Sequence, residues 1–401
     1  MALINMRDML RHAYENNYAV GAFDLVSLDF LEAVIEAAEN SRAGIILSIE
    51  EPHFAHYDYE LMLPAVEAAA RRATIPVAIQ LDHGRSQQSI AEAIRLGCNG
   101  VMLDASALDL PANIEATRAV VDMAHGCGVA VVGELGYVAG IEGEGKQLHP
   151  GEPALTMPTE AKAYVERTGV DFLAVSIGTT QGRVKGRPKL DFQRLKQIHK
   201  LVDIPLEIHG GSGLNEEQYR KLTALGVAKI NYYTALSDIA ASVMRRQSKE
   251  NPTGSFTDLK KGVKEAIREE VQRCLRLWGS AGRAAEILAQ CRPWAQLDHV
   301  VVRTARQGER GAMQWMVAES RARLETIPGV REVAIGRSID GDGQLRFFWR
   351  IRMAQPDCLD RLVQHSAYRE FLKRLDEFFE SPKISGAFVE QCVAGFPPML
   401  R

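Results

Sequence analysis

The stretch VAIQLDH, residues 77–83, is an apolar run that ends in an acid and a histidine. Seven more runs of this kind occupy residues 19–24, 44–51, 100–106, 129–136, 172–178, 206–213 and 228–234. Segments with a 3.6-residue apolar period separate the runs, and several end in glycine, as helices often do. Continuous apolar runs are typical of strands buried on both faces. Eight β-then-α units therefore predict an α/β fold, a (β/α)8 TIM barrel.

Almost every run finishes in a polar or ionisable residue. These residues are Asp24, Glu50, Asp82, His83, Asp104, Glu134, Gln181, His209 and Asn231. Such a residue can simply mark where a strand stops. In a TIM barrel, however, the carboxyl ends of all eight strands meet at one mouth, where active sites lie. The mixture of His, Asp, Glu and Asn at this edge favours a catalytic site.

A second unit follows the barrel pattern. Its predicted strands are 297–304, 330–338, 344–354 and 384–392, and its predicted helices span about 310–325 and 357–379. The order β-α-β-β-α-β is that of the ferredoxin-like split βαβ arrangement. We therefore expect two domains, a TIM barrel over residues 1–290 and a small α+β ferredoxin-like domain over residues 297–401.

Composition excludes several classes of protein. The chain has 401 residues, is 46% hydrophobic and 25% charged, and carries a net charge of −3 with no basic cluster, so nucleic acid is a poor partner. No apolar run approaches the ~20 residues that a membrane span needs. The N-terminal segment is typical of an amphipathic helix and not of a signal peptide. The six cysteines form no CxxC pair, which favours reduced thiols in the cytoplasm.

Six motifs in a fixed order resemble one enzyme family. They are LDHG (81–84), MLDAS (102–106), GELG (133–136), KGRPKLDF (185–192), HGGSG (209–213) and KIN (229–231). Together they resemble the class II, metal-dependent fructose- and tagatose-bisphosphate aldolases over roughly residues 1–285. The resemblance implies that dihydroxyacetone phosphate is joined to an aldehyde through a metal-bound enediolate, or released in the reverse cleavage. More loosely, residues 297–401 resemble a stress-responsive dimeric α/β-barrel domain, which usually pairs with a second copy.

A reaction that makes or breaks a bond beside a ketone needs an electron sink, either a lysine Schiff base or a metal ion. The lysine within a strand run is Lys229, near the start of the last run and so away from the predicted mouth, while Lys185 lies in a loop. A Schiff-base enzyme is therefore disfavoured. The resemblance instead implies a divalent metal, with Zn2+ as the expected ion, bound by His83 and His209.

The third histidine of the family's metal site is replaced in this chain. The family motif is of the type GTxHG, and here GTTQG (178–182) puts Gln181 at that position. A glutamine carbonyl is a harder and weaker zinc ligand than imidazole. Three outcomes stay open. Gln181 binds the metal together with a carboxylate, or Gln181 contacts substrate while another group completes the shell, or the site has lost its metal.

The resemblance assigns roles to three mouth acids. Asp104 and Glu134 match acids that form a second metal position, although hydrogen-bonded mouth carboxylates are an equally simple interpretation. Asp82 matches the acid that moves a proton at the aldehyde oxygen. Neighbouring residues on a strand point to opposite faces, so Asp82 and His83 both reach the mouth only if the strand ends or twists there.

The catalytic base implied by the resemblance lies in the segment GYVAGIEGEG (136–145). Glu142 aligns with the glutamate that removes the C3 proton of the phosphate ketone, and Glu144 is its rival two residues on. The glycines of this segment predict a lid that closes over the reaction and brings in the base.

Phosphate recognition is predicted at the late strands. The expected contacts are Gly182, Lys185, Gly186, Gly210, Gly211, Ser212, Asn231 and Thr234. Main-chain N–H groups of glycine turns at this place form the usual phosphate cradle of a TIM barrel. Ordinary βα turns are the alternative interpretation.

The predicted acceptor pocket departs from the family. Asp24 stands in the first strand's FN motif, and Glu50 and Glu51 replace small residues after the second strand. Tyr233 and Ser237 take the places of an acid and a basic residue. Extra carboxylates repel a second phosphate. We therefore expect an acceptor aldehyde that is neutral or carries an amine.

The sequence thus predicts an aldehyde-lyase acting on dihydroxyacetone phosphate or a related ketose phosphate with an atypical, non-phosphorylated aldehyde. A metal-independent isomerase or cyclase that keeps Asp82 and Glu142, and a non-catalytic sugar-phosphate-binding protein, are the alternatives. The small domain is expected to assemble a homodimer or homotetramer, or else to form a pocket that acts on the product.

Overall fold

Eight parallel strands form a closed barrel. The computed structural model describes residues 2–138, 154–182, 188–306, 310–339, 345–380 and 385–389. The barrel strands are β1 (Val20–Asp24), β2 (Ile45–Glu50), β3 (Val77–Gly84), β4 (Gly100–Leu103), β5 (Ala130–Leu135), β6 (Phe172–Val175), β7 (Leu206–Ile208) and β8 (Val227–Tyr232). They pair in chain order, and β8 closes onto β1. The predicted TIM barrel is confirmed.

Helices cover the outer face of the barrel and one of its ends. They are α1 (Met6–Glu15), α2 (Leu28–Ser41), α3 (Tyr59–Arg72), α4 (Gln87–Leu96), α5 (Leu110–His125), α6 (Pro158–Thr168), α7 (Phe192–Leu201), α8 (Glu216–Ala224), α9 (Thr234–Glu250), α10 (Phe256–Leu259), α11 (Val263–Leu277) and α12 (Ala284–Gln290). Gly262, with a φ of +85°, separates α10 from α11.

The amphipathic helix α1 closes one end of the barrel, which we call the floor. Met6, Met9 and Leu10 of α1 are fully buried and pack in one cluster with Met102 and Phe172 from the strands. The predicted N-terminal helix is therefore confirmed. The open end, at the carboxyl ends of the strands, is the mouth.

The small domain follows the predicted order of strands and helices, except that two helices stand between its third and fourth strands. Its elements are β9 (Leu297–Thr304), α13 (Arg310–Leu324), β10 (Val330–Ile339), β11 (Leu345–Met353), α14 (Cys358–Gln364), α15 (Ser366–Phe378) and β12 (Ser385–Val389). Its antiparallel sheet has the order β10-β11-β9-β12. The helix predicted over 357–379 is two helices, because His365 between them is extended, with a ψ of 136°.

The small domain packs against α3, α4 and α5 near the floor. The guanidinium of Arg331 in β10 donates to both carboxylate oxygens of Glu67, at 2.8 and 2.6 Å, and to the carbonyl of Arg95 at 2.8 Å. Arg361 donates to the carbonyls of Asp122 and Met123 at the C-terminal end of α5. C-terminal ends of barrel helices lie at the floor, so the small domain is attached at the end opposite the mouth.

The structure bears on two expectations from the sequence, which concern membrane-spanning helices and the state of the cysteines. Over the described ranges, no helix is both long and apolar enough to cross a membrane. The described cysteines are Cys98, Cys127, Cys274, Cys291 and Cys358, and all five are buried and unbridged. Cys392 lies outside the described residues.

Candidate active site

A bulge in β3 turns two consecutive residues toward the mouth. His83 has a φ of +44°, and the pairing of β3 with β4 shifts its register between Leu81 and Gly84. Bulges of this kind re-aim side chains that would otherwise alternate across the sheet. Asp82 and His83 consequently bring ligand atoms within 4.8 Å of each other and of His209. The sequence required β3 either to end or to twist here, and the strand is distorted locally while continuing to Gly84.

His83, His209 and Gln181 converge at one point of the mouth. Nε2 of His83 lies 3.2 Å from Nδ1 of His209 and 3.0 Å from the amide nitrogen of Gln181. All three side chains are buried, with exposed fractions of 7%, 1% and 6%. The structure therefore brings Gln181 to the third position of the predicted metal site.

Asp104 and Glu134 flank the other side of the His83 ring. Oδ2 of Asp104 lies 2.9 Å from Nδ1 of His83, and Oε2 of Glu134 lies 3.9 Å from the same nitrogen. Burial raises the pKa of Glu134 to about 7, and the charge of Asp104 adds to this shift. Burial alone would lower the pKa of His83, but the hydrogen bond to Asp104 and the surrounding carboxylates raise it well above its usual value. The pocket thus stabilises positive charge at His83.

A buried ion pair lies beneath His209. Oε1 of Glu207 accepts from Nζ of Lys229 at 2.7 Å and from the amide nitrogen of Asn231 at 2.6 Å, and it lies 3.1 Å from Nε2 of His209. Nζ of Lys229 also lies 3.9 Å from Oδ2 of Asp82. The expectation that Lys229 lies away from the mouth is therefore wrong, because its long side chain reaches up from the start of β8 to the layer of Asp82.

The sequence pattern did not single out Glu207, although a signal for it exists. Glu207 and Lys229 each precede a predicted mouth residue, His209 or Asn231, by two positions. Residues two apart on a strand share a face. Two opposite charges on the inward face of adjacent strands therefore indicate a buried pair. Asn231, predicted at the phosphate site, contacts Glu207 and the ring of His209.

The turns after β6 and β7 touch each other at the predicted phosphate site. Gly210 has a φ of +65°, and a Cβ placed on it would lie 2.3 Å from the carbonyl oxygen of Thr180. Gly182, at the end of the same β6 turn, has a φ of +74°. Oγ of Ser212 accepts from the main-chain N–H of Ala235, in the first turn of α9. The glycine turn and the N-terminal end of α9 therefore lie side by side.

Two further predicted phosphate contacts, Thr234 and Gly211, lie beside the same turn and helix. Thr234 is the first residue of α9 and is buried, and Gly211 packs against Ile230 and the carbonyl of Asn231. The remaining two, Lys185 and Gly186, lie outside the described residues, as do Glu142 and Glu144.

An acidic group lines the side of the mouth next to β1 and β2. Asp24 and Glu50 are each 2% exposed, and Nε2 of His53 lies 3.2 Å from Oε2 of Glu50. The ring of Tyr233 lies 4.6 Å from the ring of His53. Burial raises the pKa of Tyr57 well above its usual value, with further contributions from Asp24 and Glu50. Asp24, Glu50, His53 and Tyr233 thus share one wall of the mouth with Tyr57. Of these four, His53 was not among the residues predicted for the acceptor pocket.

Glu51 and Ser237 occupy different surroundings from that wall. Oε2 of Glu51 accepts from the main-chain N–H of Arg85 at 2.8 Å, so this carboxylate links the loops after β2 and β3 at the rim. Ser237 lies in the first turn of α9, where its N–H donates to the carbonyl of Tyr233.

The donor set at His83 and His209 fits a divalent metal. Two ligands of a tetrahedral zinc ion lie about 3.4 Å apart, close to the separation of the two facing nitrogens. A half-turn of the Gln181 amide exchanges its nitrogen and oxygen, so that an oxygen faces the same point. Oε2 of Glu134 is buried and finds no hydrogen-bond partner among the described residues. His83, His209 and Gln181 would therefore hold the metal, with Asp104 and Glu134 beside it.

The sequence of the chain also matches a known protein family. The family described as fructose-bisphosphate aldolase class-II matches residues 4–283. The chain belongs to this family. The class II aldolases are lyases of the aldolase type, and they are typically dependent on a divalent metal.

Individual relatives agree with this assignment over the barrel. The aldolase is 38% identical over 306 residues to a fructose-bisphosphate aldolase of Thermus caldophilus, an alignment that covers 70% of this chain and 100% of the relative. The structure of the YdjI aldolase from Escherichia coli K12 is 33% identical with a TM-score of 0.61, covering 70% of this chain and 99% of that one. A fructose-bisphosphate aldolase from Campylobacter jejuni, 19% identical with a TM-score of 0.59 over 70% and 96% of the two chains, shows the fold alone.

Proposed function

We propose that this class II aldolase is a carbon–carbon lyase that acts on dihydroxyacetone phosphate or a related ketose phosphate, with an aldehyde that carries no phosphate. The observation that carries the proposal is the convergence of His83, His209 and Gln181 next to Asp82. A bound Zn2+ or similar ion supplies the electron sink for the charge left on the ketone when the carbon–carbon bond breaks.

Asp82 is proposed to move the proton at the aldehyde oxygen. Its carboxylate is 2% exposed and is fixed by the side-chain amide of Gln80 at 3.3 Å and the main-chain N–H of His83 at 3.2 Å. A carboxylate held in this way keeps one orientation beside the metal ligands. Glu142 stays the predicted base for the C3 proton.

The ketone's phosphate is proposed to bind at the glycine turn after β7. Gly210, Gly211 and Ser212 adjoin the N-terminal end of the 17-residue helix α9. Main-chain N–H groups and the helix dipole both favour an anion at this place. Gly182, Thr234, Lys185 and Gly186 complete the proposed cradle, and Asn231 fixes the neighbouring histidine.

The acceptor aldehyde is proposed to be neutral or to carry an amine. The wall formed by Asp24, Glu50, His53 and Tyr233 contains two buried carboxylates. At close range, and in a poorly hydrated pocket, like charges repel by several times their energy in water. This wall therefore disfavours a second phosphate. Glu51 is proposed as a rim residue of the same pocket.

Three measurements on the purified full chain test the proposal. These are metal content, exchange of the C3 proton of dihydroxyacetone phosphate with solvent, and condensation with a panel of neutral, amine-bearing and phosphorylated aldehydes. The proposal predicts about one tightly bound divalent ion, exchange that stops on chelation, and products with unphosphorylated aldehydes. Exchange without metal supports the isomerase or cyclase instead, and binding without exchange supports the sugar-phosphate-binding protein.

The small domain is proposed to assemble the enzyme as a homodimer or homotetramer. The face of its sheet that carries Val300, Val302 and Phe348 lies opposite the face that packs on its helices, and Phe348 is 40% exposed. Large exposed aromatic residues on a sheet favour association. A Phe348→Glu variant that stays at the native mass in light scattering contradicts this role. We propose residues 1–290 and 297–401 as the two domains.

The reducing cytoplasm is the proposed compartment. Small buried thiols without bridges, as in the described part of the chain, are typical of proteins from reducing compartments. Alkylation of the protein directly on cell lysis, followed by mass spectrometry, tests this: a cysteine found oxidised in the freshly alkylated protein contradicts it.

A further inference from the structure

We propose that Glu207 is a positioning residue that fixes the tautomer of His209, so that Nδ1 of this histidine is free to bind the metal. This inference rests on the proposed metal site and adds a residue to it. Among the described residues, the one predicted substrate contact that Glu207 touches is Asn231. Its role therefore acts through the histidine and not on the reacting atoms.

The carboxylate of Glu207 is fully buried and gathers three donors on one oxygen. Oε1 lies 2.7 Å from Nζ of Lys229, 2.6 Å from the amide nitrogen of Asn231 and 3.1 Å from Nε2 of His209. The side chain is 0% exposed and that of His209 is 1% exposed. Water therefore does not compete for these bonds.

The contact with Glu207 decides which nitrogen of His209 carries the hydrogen. A carboxylate accepts hydrogen bonds and an imidazole nitrogen without hydrogen cannot donate one, so Nε2 carries the hydrogen. Nδ1 is then a lone pair, and it is Nδ1 that faces His83 at 3.2 Å. The amide nitrogen of Asn231 lies 3.0 Å from Nδ1 and 3.2 Å from Nε2. An amide N–H can donate only to a ring nitrogen that carries no hydrogen, so donation to Nδ1 agrees with hydrogen on Nε2.

In His83 the two ring nitrogens have the opposite roles: Nδ1 contacts a carboxylate and Nε2 faces the other histidine. Its Nδ1 lies 2.9 Å from the carboxylate of Asp104, so Nδ1 keeps its hydrogen when the ring binds a metal and Nε2, which faces His209, supplies the lone pair. Without metal, a hydrogen on Nε2 of His83 can be donated to Nδ1 of His209, 3.2 Å away, which again requires Nδ1 of His209 to carry no hydrogen. Carboxylates that accept from the remote nitrogen of a ligating histidine orient the ring and raise its basicity, and their loss typically weakens metal binding by about 10–100-fold.

Lys229 offsets the free-energy cost of burying the carboxylate of Glu207. An unpaired carboxylate is costly to bury, and Nζ of Lys229 supplies the opposite charge at 2.7 Å. Lys229 also lies 3.9 Å from Asp82, so one ammonium balances two carboxylates below the metal ligands. The Glu207–Lys229 pair thus lies next to both His209, a proposed metal ligand, and Asp82, the proposed proton-transfer residue.

The first test reads the tautomer directly in the metal-free protein. Nitrogen-15 NMR of histidine-labelled chain distinguishes a hydrogen on Nε2 from one on Nδ1, and His209→Gln assigns the signal. The proposal expects His209 with hydrogen on Nε2 in the wild type and a change of tautomer or mixed tautomers in Glu207→Leu, which has no acceptor. A His209 with hydrogen on Nδ1 in the wild type overturns it, whether or not the protein takes up metal.

The second test separates the acceptor role from the charge balance. Glu207→Leu combined with Lys229→Met removes both charges and leaves no buried ion unpaired, so the double variant is expected to fold. Zn2+ and Co2+ affinities, measured by competition with a chromophoric chelator, are expected to fall about 10–100-fold in Glu207→Leu and in the double variant. Equal affinity in wild type and the double variant overturns the inference.

A control variant removes a different, part-buried ion pair far from the metal ligands. Glu67→Gln breaks the contact with Arg331 near the floor, and it is expected to lower stability while leaving metal affinity unchanged. If the wild-type chain binds no divalent metal, the proposed function fails on its own, and the tautomer measurement still decides the role of Glu207.

Discussion

The side-chain amide of Gln181 lies 3.0 Å from Nε2 of His83, at the point where His209 also presents a ring nitrogen. The position that carries histidine in the family motif therefore faces the same point here, but with a weaker ligand. This relationship leads to the first prediction.

Gln181→His is expected to raise zinc affinity. It restores a third imidazole, which is a softer and stronger ligand for zinc than an amide oxygen. We expect a gain at least as large as the factor of about 10 that even outer-shell partners contribute. Chelator competition measures it, and Gln80→His, two residues before Asp82 on β3, is the control for adding an imidazole to the pocket. Unchanged affinity in Gln181→His means that position 181 does not face the metal.

Gly210→Ala is expected to destabilise the protein and to abolish binding of the phosphate ketone. An added methyl group at this positive φ would lie 2.3 Å from the carbonyl of Thr180, one residue before Gln181. Gly213→Ala is the matched control, because Gly213 also has a positive φ, of +84°, but has open space around its added Cβ. We expect about 1 kcal/mol of strain for Gly213→Ala and a clearly larger loss for Gly210→Ala, read from chemical denaturation.

The attachment of the small domain is expected to weaken in acid. Burial alone would raise the pKa of Glu67, but Arg331 and Arg71 more than offset this and hold it below its ordinary value of 4.5. A carboxyl group with a lowered pKa in the folded state contributes stability that is present above its unfolded pKa and is lost as pH falls through its folded pKa. Stability should therefore drop below about pH 4.5.

Glu67→Gln is expected to remove this part of the acid dependence and to cost about 2 kcal/mol, since the part-buried Arg331 loses hydrogen bonds to a charged partner. Glu216→Gln, which removes the exposed pair with Arg220, should change stability by less than about 1 kcal/mol. Urea unfolding of the three proteins at pH 7 and pH 4 measures both effects. A Glu67→Gln variant with the full acid dependence of the wild type would show that the pair is not its source.

Treatment with borohydride in the presence of dihydroxyacetone phosphate is expected to leave the protein unmodified. The lysine nearest the described site, Lys229, is 1% exposed, and its Nζ is in contact with Oε1 of Glu207 at 2.7 Å. A Schiff base needs an amine with access to the ketone, which burial in this contact denies. Intact-mass spectrometry reads the result, and a mass increase that maps to Lys229 would contradict the metal-based assignment.

Glu50→Gln is expected to improve the use of phosphorylated aldehydes relative to neutral ones. It removes one negative charge from the acceptor wall while keeping the shape of the side chain. Removing one like charge a few ångströms away at an effective dielectric of ~20 is worth a few kcal/mol at most, so we expect a change of about tenfold in the ratio of kcat/KM values. Glu60→Gln, an equal charge change on the exposed face of α3, should leave the ratio unchanged.

The sequence predicted the backbone better than the reach of side chains. The strand runs and their polar ends placed His83, His209 and Gln181 correctly at one mouth, because the carboxyl ends of parallel barrel strands meet there. The position of Lys229 was wrong, because a lysine at the start of β8 has a long side chain that extends along the barrel interior. Glu207 was not singled out, because its importance depends on a neighbour in space that comes 22 residues later.

Local breaks in helices were also difficult to predict. The break at His365 has no glycine or proline to announce it, and it is stabilised by the ring nitrogen of His365 accepting from the N–H of Ala367. His53 escaped prediction for a related reason: it follows β2 in a short 3-10 turn, and only the fold brings it to Glu50 and Tyr233.

The attachment of the small domain at the floor has a practical consequence. The contacts of Arg331 and Arg361 lie at helix ends far from the βα loops, so the mouth of the barrel and the small domain are free to change independently. Enzymes of this architecture are suited to immobilisation or fusion through the small domain, since a tether at that end leaves the substrate entrance pointing outward. The same separation lets one barrel chemistry be carried into different quaternary arrangements by exchange of the appended domain.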